Sequence, residues 1–182
     1  MASEERRERD RAVRERMIVA AARELAETQG WEAVTTRRLA ERVEYSQPVL
    51  YSHFRSKDAI MAAVAVEGFA ELAAELHAAG GLAGVATAYL DFAERRPALY
   101  DAMFSHAVDL AFASEETPPQ LRAGFEALSA AIAPYTRGDD LGLLTETLWA
   151  GLHGLATLTR GGRLPRETQQ QRLAILLTRL TG

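Results

Sequence analysis

Cysteine is absent from the 182 residues. That excludes disulfides, thiolate metal sites and thiol nucleophiles, and it fits a reducing compartment. Long apolar runs are missing as well. The longest uncharged stretch, Leu76 to Leu90, is fifteen residues interrupted by Gly80-Gly81, too short and too broken to span a bilayer. The N-terminus reads Met-Ala-Ser-Glu-Glu-Arg-Arg-Glu-Arg-Asp, too charged for a signal peptide. A soluble, cytoplasmic protein with no membrane partner is therefore expected. No His-Glu-x-x-His, Gly-x-Ser-x-Gly or phosphate-binding glycine loop occurs, and four scattered histidines make no site. The expectation is a protein that is not an enzyme, with no cofactor, no metal and no catalytic residue. Lysine is nearly absent: of 21 cationic residues, all but Lys57 are arginine.

The charge that is present is unevenly placed. Residues 1–57 carry 12 Lys+Arg against 10 Asp+Glu, a net of +2, and residues 58–182 carry 9 against 15, a net of −6. A basic head on an acidic body suggests an N-terminal contact with a polyanion. Glu4 to Arg16 is read as a solvated, frayed helix extension. Its Glu4, Glu5, Glu8 and Asp10 argue against a basic arm in the minor groove.

Helical periodicity runs from end to end, and β-branched runs with period-two alternation are missing. Met17, Ala21 and Leu25 share a face closed by Gly30 as a C-terminal cap. Thr35 is placed to cap a short helix over Thr36 to Val43. Ser46 is placed to cap a second, with Pro48 tolerated in its first turn. Ser56 begins the helix that carries Ile60, Val64, Gly68, Leu72 and Leu76. Five more follow, opened by Gly80-Gly81, Pro97, Pro118-Pro119, Asp139-Asp140 and Arg166. The fold class is all-α, with about nine helices: a three-helix N-terminal domain over 1–57 and a helical body over 58–182.

The second and third helices are joined by Glu44-Tyr45-Ser46 and form a helix-turn-helix pattern. In the third helix Leu50 and Phe54 face inward, which leaves Gln47, Val49, Ser52 and His53 elsewhere on its surface. Glutamine pairs bidentately with adenine, and Pro48 or Val49 can touch a thymine methyl. Tyr51 and Lys57 suit phosphate contacts, which position a protein without reading sequence.

Residues 34–43, Val-Thr-Thr-Arg-Arg-Leu-Ala-Glu-Arg-Val, with 47–57, Gln-Pro-Val-Leu-Tyr-Ser-His-Phe-Arg-Ser-Lys, resemble the DNA-binding domain of the tetracycline-repressor (TetR) family. The likeness covers roughly residues 13–70. It implies three N-terminal helices for double-stranded operator DNA and a C-terminal body for ligand binding and homodimer formation. Carried over by position, it implies that Thr36 and Tyr51 hold phosphates and that Arg37 and Gln47 read bases. Pro48 and Val49 pack on a base edge, His53 lies nearby, and Lys57 meets the DNA backbone. One position departs: Glu44 stands where the family usually has glycine, in a place that is often left-handed, at a cost of about 1 kcal/mol.

In the body, Trp149-Ala-Gly-Leu-His153-Gly154 is similar to the Trp…His-Gly (WHG) pattern of one TetR-type regulatory domain. Trp149 and His153 are four residues apart and share a helix face. Two readings fit the pair: a tightly packed core or dimer helix, or a pocket wall in which His153 donates to an effector. Tyr100, Met103, Phe104 and Phe112 recur at near-helical spacing and fit either core or pocket. Asp101, His106 and Asp109 do not share one helix face and are read as a solvated flank. The candidate ligand-binding set is Tyr100, Met103, Phe104, Trp149 and His153, aromatic and apolar, which suits a hydrophobic or aromatic small-molecule effector. Dimer stripes are expected along Leu141, Leu144, Leu148, Leu152 and Leu155, and along Leu173, Leu176 and Leu180. The resulting reading is a ligand-responsive homodimeric transcription regulator, a repressor released from a palindromic operator. The alternative from another class is an all-helical small-molecule-binding protein or enzyme without a gene-regulatory role.

Overall fold

Backbone capping chemistry cuts the chain into helices at the places its residues demand. The computed structural model describes residues 2–104 and 116–182. Among them are nine α-helices and no strand: α1 Ala2–Gln29, α2 Thr36–Arg42, α3 Gln47–His53, α4 Lys57–Ala78, α5 Gly81–Arg95, α6 Pro97–Phe104, α7 Pro119–Ile132, α8 Leu141–Arg160 and α9 Gln169–Thr181. Gly30, at φ 81°, lets the chain leave α1 in a conformation that a Cβ would disfavour. Asp140 caps α8 by accepting from the Leu143 N–H at 2.9 Å, and its charge suits that end of the helix dipole. His106, Asp109 and Phe112 lie outside the described residues.

Contacts gather the chain into two units. The first holds Met1–Gly68 and the stretch beginning at Arg96. Its core includes Ile18, Ala22, Leu25, Val34, Leu39, Leu50, Ile60, Val64, Leu99 and Tyr100, all nearly or fully buried. The second holds Phe69–Arg95 and the C-terminal stretch to Gly182, around Leu76, Val85, Tyr89, Phe92, Leu128, Ile132, Leu148 and Leu152. The division at 57/58 follows the motif, whereas packing divides α4 at Gly68 and groups α6 with the head. The reason for the second grouping is that α6 packs on α1 and Trp31.

The N-terminal extension is helical and solvated as expected: α1 is one helix from Ala2, and its exposed part carries an Arg11–Glu15 pair at 2.8 Å, one turn apart. One expectation from periodicity changes. The middle of the expected α8 stripe faces inward. Leu148 and Leu152 are both 0% exposed, because they pack in their own unit where α8 meets α5 and α7. Of that stripe Leu141 stays exposed and Leu144 and Leu155 are half-buried, and the other open apolar residues are Leu143 and Leu158 on α8 and Ile175 on α9. A stripe of fours and threes marks a buried face but does not say which neighbour buries it.

Candidate nucleic-acid interface

Thr35 is extended and caps α2, its hydroxyl accepting from the Arg38 N–H at 3.3 Å. Leu39 and Ala40 are buried, so α2 lies with one side against α1. That orientation sorts its three arginines. Arg38 donates to Gln29 Oε1 at 2.6 Å and to the Ala33 carbonyl at 3.4 Å, and Arg42 pairs with Glu24. Both are thereby turned back toward the scaffold. Arg37 points outward with its side chain 79% exposed, held by Glu41 one turn on at 2.9 Å. An exposed pair of this kind is worth well under about 1 kcal/mol, so Arg37 can exchange Glu41 for another partner at little cost. Thr36, beside it at the start of α2, is half-buried.

The turn after α2 closes as a Schellman motif. Tyr45 N–H donates to the Ala40 carbonyl at 2.9 Å, and Glu44 N–H donates to that of Glu41 at 3.4 Å. The residue between cap and continuation must be left-handed, and Glu44 is, at φ 57°. The strain expected from the missing glycine is therefore present. Ser46 stands at the N-cap of α3, but its hydroxyl makes no capping bond. Pro48 at the second helical position has removed one of the two N–H groups that a cap can serve.

Helix α3 buries Leu50 completely and leaves Gln47, Pro48, Val49, Tyr51 and Ser52 exposed. Donor, acceptor and apolar groups thus sit together on one open surface at its N-terminal end, the arrangement that reads base edges in a major groove. His53 behaves differently. Its side chain is only 7% exposed, and Nδ1 lies 3.5 Å from Glu15 Oε1 of α1. The cause is register: His53 is three residues after Leu50 and so shares the buried side of the helix. The Arg11 hydrogen bond holds the Glu15 carboxyl below the usual carboxylate range against the opposing effect of burial, and His53 adds to the lowering.

Ser56 Oγ accepts from the Ala59 N–H at 3.1 Å and so caps α4, bringing Lys57 to its first position. The ammonium of Lys57 is not loose: it donates to the Trp31 carbonyl at 2.8 Å. Three residues that periodicity and motif did not single out belong to this surface or its support. Arg55 is an exposed cation between α3 and α4. Trp31 and Glu27 tie the head to α6, through contacts about seventy residues apart in the chain that no local pattern announces.

The candidate ligand-binding residues fall in both units. In the first, Tyr100 and Met103 are buried at 1% exposure, and the half-buried Phe104 ring lies 4.7 Å from that of Tyr100, tilted by 49°. In the second, Trp149 and His153 are half-buried on α8. The Trp149 indole N–H donates to the hydroxyl of buried Tyr89 at 3.1 Å, a partner the sequence reading did not include. His153 Nε2 lies 3.4 Å from Thr157 Oγ1. Burial lowers the His153 imidazole pKa from its ordinary value, and nearby Arg160 adds to the effect, so the ring favours its neutral form. The second unit also holds a groove of about 300 Å³ where the end of α4, the start of α5 and the end of α7 meet. Ala127, Ala130 and Ala131 leave it open, and His77 and Tyr135 supply its polar groups. No helix among the described residues is long and apolar enough to cross a membrane.

Comparison with known proteins adds independent findings. Residues 18–64 match the family described as bacterial regulatory proteins, tetR family, and residues 82–180 match the one described as tetracyclin repressor-like, C-terminal domain. The class C tetracycline repressor of Escherichia coli is 48% identical over 48 residues, 26% of this chain and 22% of that protein. An uncharacterized HTH-type transcriptional regulator of Bacillus subtilis, YobS, is 33% identical over 95 residues, 48% of this chain and 50% of its own length. The chain thus spans half or less of these two relatives. A structure of a protein of unknown function from Rhodococcus sp. RHA1 superposes with a TM-score of 0.73 over 91% of this chain and 92% of that one, at 23% identity.

Proposed function

Because the chain belongs to the tetR family of bacterial regulatory proteins, we propose that it is a ligand-responsive, homodimeric DNA-binding regulator. In this reading it is a repressor that leaves a palindromic operator when its body takes up a small hydrophobic or aromatic molecule. It works in the cytoplasm and carries out no catalytic reaction. The observation that carries the reading is the sorting of side chains on α2 and α3. Arg38, Arg42 and His53 are turned to the scaffold, and Arg37, Gln47, Pro48, Val49 and Tyr51 are left on the open side. Arg37 and Gln47 read bases. Thr36, Tyr51 and Lys57 hold phosphates, and His53 supports α3 from beneath.

Effector binding belongs to the body, with Trp149 and His153, backed by Tyr89, as one candidate wall in the second unit; Tyr100, Met103 and Phe104 are separate candidates in the first. The groove lined by Ala127, Ala130 and Ala131 is a second location, favoured by its volume. The E. coli relative is a tetracycline repressor by name, which fits an aromatic effector class.

A gel shift with the DNA upstream of the protein's own gene tests the reading. Arg37→Ala and Gln47→Ala are each expected to cost about 1–3 kcal/mol and to relax preference at one position of each half-site. Lys57→Ala is expected to weaken all sequences alike and to lower the salt slope by about 1. Equal loss of specificity from all three variants, or no shift by the wild type, overturns it.

A further inference from the structure

On the DNA-binding reading, Lys57 holds a phosphate with a flexible four-carbon side chain that loses rotamer freedom on binding. In the structure that freedom is already restricted. The ammonium donates to the Trp31 carbonyl at 2.8 Å, which occupies one of its three donors and aims the group before any DNA arrives. The same carbonyl accepts from the Val34 N–H at 3.1 Å, so its direction is set by the short 3₁₀ turn Trp31–Ala33.

What holds that turn is α6. The Trp31 side chain is buried at 7% exposure, and its indole N–H donates to the Ala98 carbonyl at 2.8 Å. The first turn of α6 is gripped from the same side by Glu27. One carboxylate oxygen accepts from Leu99 N–H at 3.2 Å and the other from Ala98 N–H at 3.4 Å. Pro97 brings no N–H, so these are the first two donors of the helix, and a charged acceptor at this end also suits its dipole. Trp31 therefore has two ends. Its side chain reads the position of α6, and its carbonyl aims the phosphate-binding lysine.

We propose that Trp31, with Glu27 in support, is a positioning residue that couples the first turn of α6 to the phosphate contact of Lys57. A shift of α6 that breaks the indole bond frees the 3₁₀ turn, and the lysine loses its aim. The head thus has a route to weaker DNA binding through one phosphate contact on each protomer. The inference rests on the DNA-binding reading above, because Lys57 matters only if it meets a phosphate.

The phosphate contact does not depend on base sequence, so a short duplex of arbitrary sequence at low salt is a sufficient probe. Full-length wild type, Trp31→Phe, Lys57→Ala and the double variant are titrated with it at several salt concentrations. Trp31→Phe keeps an aromatic side chain but removes the indole N–H together with the pyrrole part of a buried ring, so its helix content and melting temperature are compared with wild type first. We expect it to weaken binding by about 2- to 10-fold, the worth of one hydrogen bond, and to shallow the salt slope in the direction that Lys57→Ala does. In the Lys57→Ala background the same change should have an effect within about twofold, because its route is gone. Glu27→Gln, which keeps size and one acceptor oxygen, should show the same non-additivity on a smaller scale and decides the matter if Trp31→Phe does not fold. Losses that multiply independently, or an unchanged salt slope in Trp31→Phe, overturn the inference and leave the DNA-binding reading standing. Failure of the wild type to bind any duplex overturns both.

Discussion

Side chains of one type diverge here according to what lies behind them. Arg37, Arg38 and Arg42 sit on one seven-residue helix, yet only Arg37 faces outward, because Gln29, the Ala33 carbonyl and Glu24 claim the other two. The motif separates Arg37 from Arg38 in the sequence, but the physical reason lies in α1, which no local pattern shows. Glu44 is the opposite case, legible in full: a residue where glycine is usual, in a turn whose hydrogen bonds require φ near +57°. A non-glycine in that region costs roughly 1–2 kcal/mol, and glycine loses about 0.5–1 kcal/mol more than alanine on ordering. Glu44→Gly should therefore change stability by between about 0 and +1.5 kcal/mol. For a chain of this size that lifts the melting temperature by at most about 3–6 °C. Removing a negative charge beside the reading surface should leave duplex affinity level or higher. A lower melting temperature, or weaker binding, means that Glu44 makes a contact the turn alone does not explain.

At the scale of helices, starts and stops were readable because they depend on neighbours in the chain: Gly30, Thr35, Pro97, Pro119 and Asp140 each act within one turn. Packing partners were not. Gly151 is a case in point. Its lack of a side chain suggests the approach of another backbone, but a Cβ there would meet the Leu176 side chain of α9 at 2.9 Å. Gly68 is a sharper one, since it sits mid-helix in α4 where a Cβ would fall 2.7 Å from Met103 Sδ and 2.9 Å from Leu99 Cδ1. Both neighbours are buried at 1% exposure, which leaves them little room to give. Gly68→Ala should thus destabilise by about 1–3 kcal/mol through overpacking, despite alanine's advantage of about 1 kcal/mol in helix propensity. Gly124 in α7 supplies the contrast: a Cβ there meets nothing within 4 Å. Gly124→Ala should stabilise by about 0.5–1 kcal/mol. Thermal melts in which both variants are stabilised would show that propensity, rather than the approach of α6 to α4, decides these positions.

For the molecule as a whole, the requirement comes from the DNA. One recognition helix touches too few bases to define a unique site, so the proposed regulator needs two heads that meet successive major grooves about 34–36 Å apart. The surface best suited to pairing two chains is on α8 and α9. Leu143 is 64% exposed and Ile175 63%, with Leu158 and Leu141 also open, and Gly154 has nothing within 4 Å of where a Cβ would stand. Leu143, Thr147, Ala150, Gly154 and Leu158 follow one another by four, three, four and four, the spacing of a single helix face. Leu148 and Leu152 cannot serve, since their own unit already buries them. Sedimentation at micromolar concentration should therefore show a dimer. Leu143→Glu combined with Ile175→Glu should give a monomer with unchanged helix content, because both residues are already solvated in the single chain. That monomer should still bind duplex DNA weakly through Arg37, Gln47 and Lys57, and it should lose the gain of linking two heads, on the order of 10²- to 10⁴-fold on a two-site duplex. If the wild type sediments as a monomer, or the double variant stays dimeric, the α8 and α9 face is not what joins two copies, and the palindromic operator loses its structural basis.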